Sequence, residues 1–237
     1  MFERFLFFLI RAIVSLRYRV RTSGLKDIAR PGRRGILFLP THPALIDPVM
    51  LLSRLFPLFR PRALADKDAI DIPVIRGVAT RIGVIRIGSL TKKAGTTEAA
   101  QESIDACAEA LRAGDNVIFY PAGRLLRSSQ EYLGVNSGLA TILAQAPDAR
   151  VVLIRSRGIW GSAFSWASGY APAVPDVLKR GFRYLLANLL FFMPRRHVTV
   201  EAVEPTDFPR EAGREAINAY LETFYNATPN PNTFVPL

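Results

Sequence analysis

Between about residues 33 and 203 the chain alternates short, continuous apolar segments with longer segments of helical periodicity. The apolar segments predict strands at residues 35–40, 61–66, 84–87, 116–121, 151–156 and 198–203. The periodic segments predict helices at residues 48–56, 69–82, 97–112, 136–146, 177–193 and 209–226. Continuous apolar strands are buried on both faces, and helices between them can cover those faces. The pattern therefore predicts an α/β fold with a largely buried sheet.

The N-terminal segment is almost entirely apolar. Residues 5–16, FLFFLIRAIVSL, contain only two polar residues, and arginines follow at positions 17, 19 and 21. As a helix this segment would be about 18 Å long, too short for a hydrocarbon core of about 30 Å. Arg4, Arg11 and Ser15 share one helical face, which favours an amphipathic helix lying in the interface of an anionic membrane. A helix packed in the core is the alternative.

A second apolar segment repeats this pattern near the other end of the chain. Residues 185–193, LLANLLFFM, lie between Lys179, Arg180 and Arg183 on one side and Arg195 and Arg196 on the other. Basic residues around an aromatic-rich helix also suit a membrane surface. We therefore predict a membrane-associated helix over residues 1–24, one domain over residues 25–226 and an extended tail over residues 227–237.

Composition limits the class of protein. Of 237 residues 49% are apolar, which excludes a disordered chain, and Cys107 is the single cysteine, which excludes a disulfide scaffold. No paired-thiol or zinc-ligand spacing occurs, so no metal site is expected. The net charge of +11 favours anionic lipid, phosphorylated substrates or nucleic acid, unless it only reflects genomic base composition. Because many of the charges flank apolar segments, we do not expect nucleic acid as a partner.

Candidate chemistry begins after the first predicted core strand. His42 follows the apolar run ILFLP, and Asp47 comes five residues later, directly before Pro48. Asp followed by Pro predicts a helix start at residue 48, so His42 and Asp47 are expected on one tight connection at a strand end. There the carboxylate could orient the imidazole, leaving the other ring nitrogen as a general base. Alternatively, Asp47 only caps the helix and His42 is a loop residue.

A second group of candidates follows a later strand, in FYPAGRLLRSS at residues 119–129. The sequence Pro-Ala-Gly predicts a turn, and arginines three residues apart, Arg124 and Arg127, would share a helical face and could bind one phosphate. Two solvated surface arginines are the alternative. Arg86 interrupts the apolar run GVIRIG, where a charge needs a partner or a ligand.

These motifs together resemble the glycerolipid acyltransferase family, in order and separation, over roughly residues 33–160. The resemblance implies a mixed sheet flanked by helices. It implies that His42 is the general base and Asp47 its orienting partner. It also implies that the phosphate-binding block of the acceptor includes Pro121, Gly123 and Arg124, and that the strand VVLIRSRG helps to shape the acyl site.

The chain departs from the family's usual blocks at several positions. The third block usually reads Phe-Pro-Glu-Gly-Thr-Arg, whereas this chain has Tyr120, Ala122 and an arginine directly after Gly123. In the first block Thr41 and Ala44 stand where Asn and Ser are frequent, and Arg86 is displaced from the usual second-block arginine. The form Pro-Ala-Gly-Arg is nearer the lysophospholipid acyltransferases that are fused to acyl-activating ligases.

The resemblance implies an enzyme of the 1-acylglycerol-3-phosphate or lysophospholipid O-acyltransferase type. An acyl group would move from acyl-CoA or acyl-carrier protein to the free hydroxyl of a lysophospholipid, without a cofactor or a metal. Backbone donors in the turn from Pro121 to Gly123 are candidates for stabilising the oxyanion. The expected location is the cytoplasmic face of a membrane, as a peripheral or monotopic protein. A catalytically reduced lipid-binding or scaffolding domain is the alternative, which Ala122 makes plausible.

Overall fold

The computed structural model describes residues 2–66, 73–87, 97–190, 192 and 194–231. Within them, seven strands form one mixed sheet in the order β1-β7-β6-β2-β5-β3-β4. The strands are β1 (Tyr18–Ser23), β2 (Ile36–Pro40), β3 (Arg62–Asp66), β4 (Ile85–Ile87), β5 (Val117–Ile118), β6 (Arg150–Arg157) and β7 (Arg196–Val203). Strands β6, β2, β5, β3 and β4 run parallel, β7 runs antiparallel to β6, and β1 runs parallel to β7. The central strand is β2.

Helices cover both faces of this sheet. They are α1 (Phe2–Arg17), α2 (Leu25–Ala29), α3 (Asp47–Phe59), α4 (Pro73–Arg81), α5 (Thr97–Arg112), α6 (Gly138–Gln145), α7 (Val174–Ala187) and α8 (Gly213–Asn226). Leu37 and Leu39 of β2 pack with residues of α5, α6 and α8, whereas Ile36 and Phe38 pack with residues of α1, α2 and α3. All four side chains are fully buried. The predicted α/β fold with a buried sheet is confirmed.

The edge strand β1 corrects the predicted N-terminal segment. Helix α1 ends at Arg17, and the residues predicted to continue it to position 24 pair instead with β7, from Tyr18 opposite Arg196 to Ser23 opposite Glu201. An edge strand buries little, and in YRVRTS only Tyr18 is buried. The segment therefore lacks the apolar run that identifies the other strands. Gly24 ends it with φ +81°, and a Cβ there would lie 1.9 Å from the carbonyl oxygen of Ala202.

Strand β5 is shorter than predicted, spanning two residues rather than the expected 116–121. At its start the Asn116 side chain replaces backbone pairing: Oδ1 accepts from the Ile36 N–H at 2.9 Å, and Nδ2 donates to the carbonyls of Arg33 and Phe59. After it, the Phe119 N–H still donates to the Phe38 carbonyl at 2.9 Å, and the chain then turns at Pro121, which offers no N–H. The early turn places residues 121–137 beyond the sheet edge, beside the loop that follows β2.

The C-terminal apolar segment also differs from its prediction. Helix α7 spans Val174–Ala187 rather than residues 177–193, and backbone φ is positive at Leu189 and Leu190, which ends the helix. Of the predicted tail, residues 228–231 have no regular structure, and residues 232–237 lie outside the described part of the chain.

Candidate active site

The loop after the central strand carries His42 and is held by neighbouring segments. The His42 carbonyl accepts a backbone hydrogen bond from Leu126 at 2.9 Å, and the Leu45 N–H donates to the Phe164 carbonyl at 3.0 Å. Segments after β5 and β6 therefore fix this loop at the carboxyl edge of the sheet. Ligand sites of α/β sheets form at such edges, and the structure brings His42 there as predicted.

Asp47 lies beside the imidazole. The distance from His42 Nδ1 to Asp47 Oδ2 is 3.8 Å, and the Asp47 side chain is only 1% exposed. His42 Nδ1 is buried and has no hydrogen-bond partner among the described residues, so a small approach would pair it with the carboxylate. Catalytic hydrogen bonds are often long without substrate and shorten when it binds.

Helix α3 places this carboxylate. The helix begins at Asp47 with Ile46 as its N-cap, so the predicted N-cap role of Asp47 is wrong by one position. In the first turn the helix dipole favours a negative charge. The helix start thus sets this carboxylate beside the imidazole, with Oδ2 3.8 Å from Nδ1.

Tyr120 completes the group, a role that sequence reasoning did not assign to it. Its hydroxyl donates to Asp47 Oδ2 at 3.1 Å, and its ring centroid lies 4.4 Å from that of His42. Burial and the adjacent Asp47 charge raise the pKa of Tyr120 well above its usual value, so the hydroxyl keeps its proton and stays a donor. A tyrosine where the family usually has phenylalanine was the available signal.

The turn after Tyr120 narrows the choice of oxyanion donor. Pro121 has no N–H, and the Gly123 N–H donates to the Tyr120 carbonyl at 3.0 Å, so Ala122 carries the remaining backbone donor of the turn. Asn136 Nδ2 donates to the carbonyls of Pro121 and Ala122 at 3.2 and 3.1 Å. Gly123 has φ +61° and is exposed, with open space where a Cβ would stand.

The spacing predicted that Arg124 and Arg127 would share a helical face, and this prediction is wrong. Residues 121–137 are irregular, and Arg124 and Arg127 are both exposed. Arg124 Nη2 donates to the Tyr132 carbonyl at 3.2 Å, whereas the Arg127 guanidinium lies 3.7 Å from the ring centroid of Trp166. Arg86 pairs with Ala65 between β4 and β3, and its side chain is outside the described part of the structure.

A cavity of about 500 Å³ opens at this site. It is lined by His42, Leu64, Ala100, Ser103, Ile104, Phe119, Tyr120, Pro121, Ala122, Gly123, Val135, Asn136, Ser137 and Gly138. Most of these side chains are apolar, which suits a lipid. Among the described residues, no cluster of His, Cys, Asp or Glu could hold a metal ion. Within the same residues, no helix has both the length and the apolar character needed to cross a bilayer.

A buried acid that the sequence did not single out lies behind the His42 loop. Glu131 is 6% exposed, and burial raises the pKa of its carboxyl to about 7. The backbone N–H groups of Tyr132 and His42 and the charge of Arg124 oppose this rise. A glutamate in an irregular polar segment gives no sequence signal of burial, because only the tertiary fold covers it.

Comparisons with known proteins agree with this geometry. A search of curated proteins finds no match. Among solved structures, the chain is similar to the 1-acyl-sn-glycerophosphate (LPA) acyltransferase PlsC from Thermotoga maritima. The TM-score is 0.60 at 16% sequence identity, over 92% of this chain and 73% of that one. This likeness shows a shared fold. A family model described as Acyltransferase matches residues 19–157, more than half of the chain and the part that contains His42, Asp47 and the turn after Tyr120. The chain therefore belongs to the acyltransferase family.

Proposed function

We propose that this protein transfers a fatty acyl group from an acyl thioester to the free hydroxyl of a lysophospholipid. The observation that carries the proposal is His42 on the wall of a mostly apolar cavity of about 500 Å³, with Asp47 Oδ2 3.8 Å from its Nδ1. A base in a lipid-sized apolar cavity suits a substrate that has one reactive hydroxyl and an acyl chain. The similar structure is that of an LPA acyltransferase, which supports the same substrate class.

The reaction needs one general base. His42 takes the proton of the acceptor hydroxyl, and the oxygen attacks the thioester carbonyl carbon. The tetrahedral intermediate then collapses with cleavage of the C–S bond, and the thiolate leaves and takes the proton back from the imidazolium. Asp47 stabilises the imidazolium, and Tyr120 holds Asp47 in place. The Ala122 N–H is the proposed oxyanion donor.

Thiolate is a good leaving group, so this scheme requires neither a covalent acyl-enzyme nor a metal. Positioning of the hydroxyl and stabilisation of the oxyanion are the main tasks left to the protein. The donor is acyl-CoA or acyl-carrier protein, and an acyl-activating ligase would be a natural partner because it makes such thioesters.

The acceptor phosphate is assigned to Arg124, which is exposed and directly follows Gly123, a residue of the cavity wall. Arg127 is stacked on Trp166, so it supports this segment and reaches a phosphate only by leaving the ring. Arg86 stays a proposed acceptor contact on the resemblance alone. Because Ala122 replaces an acid beside Arg124, we rank a lysophospholipid with a head group, such as lysophosphatidylethanolamine, above lysophosphatidic acid.

A membrane surface is the proposed site of action, on the cytoplasmic face and without crossing. Helix α1 exposes Phe5, Phe8 and Ile13, and each is more than half exposed. Helix α7 exposes Leu178 and Phe182, four residues apart, next to basic residues on the same helix. Apolar side chains with basic neighbours suit an anionic lipid interface.

One observation favours a second candidate, a lipid-binding or scaffolding domain with reduced catalysis. Ala122 stands where the family usually has glutamate. The intact His42–Asp47 pair argues against this candidate, and a direct assay separates the two.

The test is acyl transfer by the purified protein on anionic vesicles, with mass spectrometry of the lipids. Mixed lysophospholipids are offered with acyl-CoA or acyl-carrier protein as donor. We expect a diacyl product that disappears in His42→Ala and persists in His197→Ala, since His197 is exposed on β7. Binding of lysophospholipid without any product in the wild-type protein would favour the scaffold.

Arg124 is tested in the same assay. Arg124→Ala is expected to raise the KM for the acceptor more than the KM for the thioester. Arg124→Lys should restore little, because an ammonium cannot replace the fork of a guanidinium. Equal changes in both KM values would contradict the assignment.

A further inference from the structure

The turn that carries the proposed oxyanion donor is held by a side chain from another segment. The turn's own hydrogen bond runs from the Gly123 N–H to the Tyr120 carbonyl at 3.0 Å. It does not involve the central peptide, which joins Pro121 to Ala122. Asn136 binds that peptide and the next one, because its Nδ2 donates to the carbonyls of Pro121 and Ala122 at 3.2 and 3.1 Å. Both donors of the Asn136 amide are thus used on the turn.

The bond to the Pro121 carbonyl also sets the direction of an N–H group. The Pro121 carbonyl and the Ala122 N–H belong to one planar trans peptide, so they point in opposite directions. Within the described part of the chain this N–H donates to no other group, although Ala122 is only 7% exposed and lies on the cavity wall. Buried backbone donors almost always have a partner, so an unpaired one on a cavity wall is available to a ligand.

Helix α8 fixes the segment that carries Asn136. Its residues Asn218, Glu222 and Asn226 are four positions apart, so they form one stripe along the helix, the α8 stripe. Asn218 is 6% exposed, and its Nδ2 donates to the carbonyls of Gly134 and Asn136, both at 3.0 Å. The residue that holds the turn is therefore held in its own backbone by α8.

The other two side chains of the α8 stripe bind the same segment further from the turn. Glu222 Oε1 accepts from the Leu133 N–H at 2.6 Å and from the Gly134 N–H at 3.4 Å. Asn226 exchanges two bonds with the backbone of Glu131, accepting at Oδ1 at 2.8 Å and donating from Nδ2 at 2.9 Å. All of these bonds go to backbone atoms, so the α8 stripe sets the path of residues 131–136.

We propose that Asn136 is a positioning residue for the oxyanion donor, and that α8 acts on catalysis through Asn136. This proposal rests on the proposed function. Asn136 keeps the central peptide of the turn in the orientation that leaves the Ala122 N–H for the oxyanion, and the α8 stripe keeps Asn136 in place. Helix α8 lies outside residues 19–157, which match the family model, so this support comes from a part of the chain beyond that match.

The first experiment compares Asn136→Ala and Asn136→Asp with Asn230→Ala. Asn136 is exposed, so its replacement leaves no buried cavity. Asn230 is a matched control, because its Nδ2 donates at 3.0 Å to the Ser129 carbonyl, in the same irregular segment but away from the turn. Circular dichroism and thermal unfolding establish that each variant is folded. Acyl transfer on anionic vesicles then gives kcat and the KM for each substrate.

Both Asn136 variants should lower kcat by about 10- to 100-fold, because a misplaced donor costs less than the loss of the donor itself. Asn136→Asp should lose more, since its carboxylate would face two carbonyl oxygens. Both KM values should stay within about twofold, and the pH profile should keep its shape, because no substrate contact and no part of the His42–Asp47 pair is removed. An unchanged kcat in Asn136→Ala, or an equal fall in Asn230→Ala, would overturn the proposal.

A double-mutant cycle tests whether α8 acts through Asn136. Glu222→Ala removes the acceptor of two backbone N–H groups and should lower kcat about fivefold, whereas Glu222→Gln keeps an acceptor oxygen and should restore most of the rate. In Asn136→Ala the further change Glu222→Ala should lower kcat by less than about twofold, because the path from α8 to the turn is already cut. Losses that multiply would show that Glu222 acts by another route, and would overturn the role of α8.

A readout without turnover separates this proposal from the proposed function. The Ala122 amide signal is followed by NMR in protein labelled with ¹⁵N-alanine and is assigned with Ala122→Gly. Glu222→Ala changes no atom of the turn, yet it should shift the Ala122 signal, and it should not do so in Asn136→Ala. If the wild type transfers no acyl group but the signal responds in this way, the proposed function fails and the positioning of the turn stands. If Glu222→Ala leaves the Ala122 signal unchanged, the positioning by α8 fails.

Discussion

Replacing Tyr120 by phenylalanine tests the central contact of the site. The change removes one hydroxyl that donates to Asp47 Oδ2 at 3.1 Å, and it leaves the ring beside His42. Asp47 is 1% exposed, so water does not readily replace the lost donor. Leaving a buried charged acceptor without its donor costs about 1.5–3 kcal/mol. For a chain of this size, that cost corresponds to a fall in Tm of about 3–12 °C.

The same change should alter catalysis in a defined direction. Without the Tyr120 donor, the charge on Asp47 Oδ2 is available to the imidazolium of His42, 3.8 Å away, and stabilises it more. The acidic limb of the pH profile of kcat should therefore move to higher pH. Turnover at the plateau should fall by less than about tenfold, because the base itself is retained.

Thermal unfolding and the pH profile of acyl transfer are measured for Tyr120→Phe beside Tyr170→Phe. Tyr170 is 67% exposed, so its variant should match the wild type in both assays. An unchanged Tm together with an unchanged acidic limb for Tyr120→Phe would refute the reasoning. A drop in Tm without a shift of the limb would mean that Tyr120 supports Asp47 without tuning His42.

Four further changes have expected outcomes. His42→Ala should lower kcat by about 10²–10⁴ and leave vesicle binding unchanged, with His197→Ala active in the same assay. Phe8→Ser should weaken partitioning onto anionic vesicles about tenfold in sedimentation, because an exposed aromatic side chain no longer enters the lipid. Ala122→Glu should move the ratio of kcat/KM values toward lysophosphatidic acid over lysophosphatidylethanolamine. Glu131→Gln should change how stability depends on pH. In the folded protein the pKa of the Glu131 carboxyl is about 7, above its usual 4.5, so ionising this group costs the native protein about 3 kcal/mol of stability. This loss is absent below about pH 4.5 and complete above about pH 7. The variant should therefore gain about that much on the wild type between these limits in urea titrations.

Each of these expectations has a contrary result. Near-normal turnover of His42→Ala would refute the proposed mechanism. If Phe8→Ser and Tyr170→Ser lost vesicle binding equally, α1 would not be the membrane contact. A wild-type preference for lysophosphatidic acid would refute the argument from Ala122. Parallel pH curves for Glu131→Gln and the wild type would show that the carboxyl does not titrate as described.

Most of the fold could be predicted from the sequence, because its signals are local. The continuous apolar runs at residues 35–40 and 151–156 became β2 and β6 with little change, and the helix predicted at residues 97–112 has those bounds. The spacing of His42 and Asp47 and the strand before them were enough to place both side chains at one sheet edge. Because such strands are buried on both faces, apolar side chains are favoured at every position, and the strand appears in the sequence as a continuous apolar run.

The remaining features depend on contacts between distant segments, which tertiary structure alone decides. Strand β1 was missed because an edge strand needs only one partner, here β7, and that pairing uses backbone atoms common to every residue. The arginines at positions 124 and 127 were separated because the segment after β5 bonds to the His42 loop and to α8 instead of forming a helix. The environment of Tyr120 includes Asp47, which lies 73 positions earlier in the chain. That of Glu131 includes the backbone of His42, 89 positions earlier. Spacing along the chain reports which side chains share an element, whereas the burial and the charge around a side chain are set by whatever the fold packs against it.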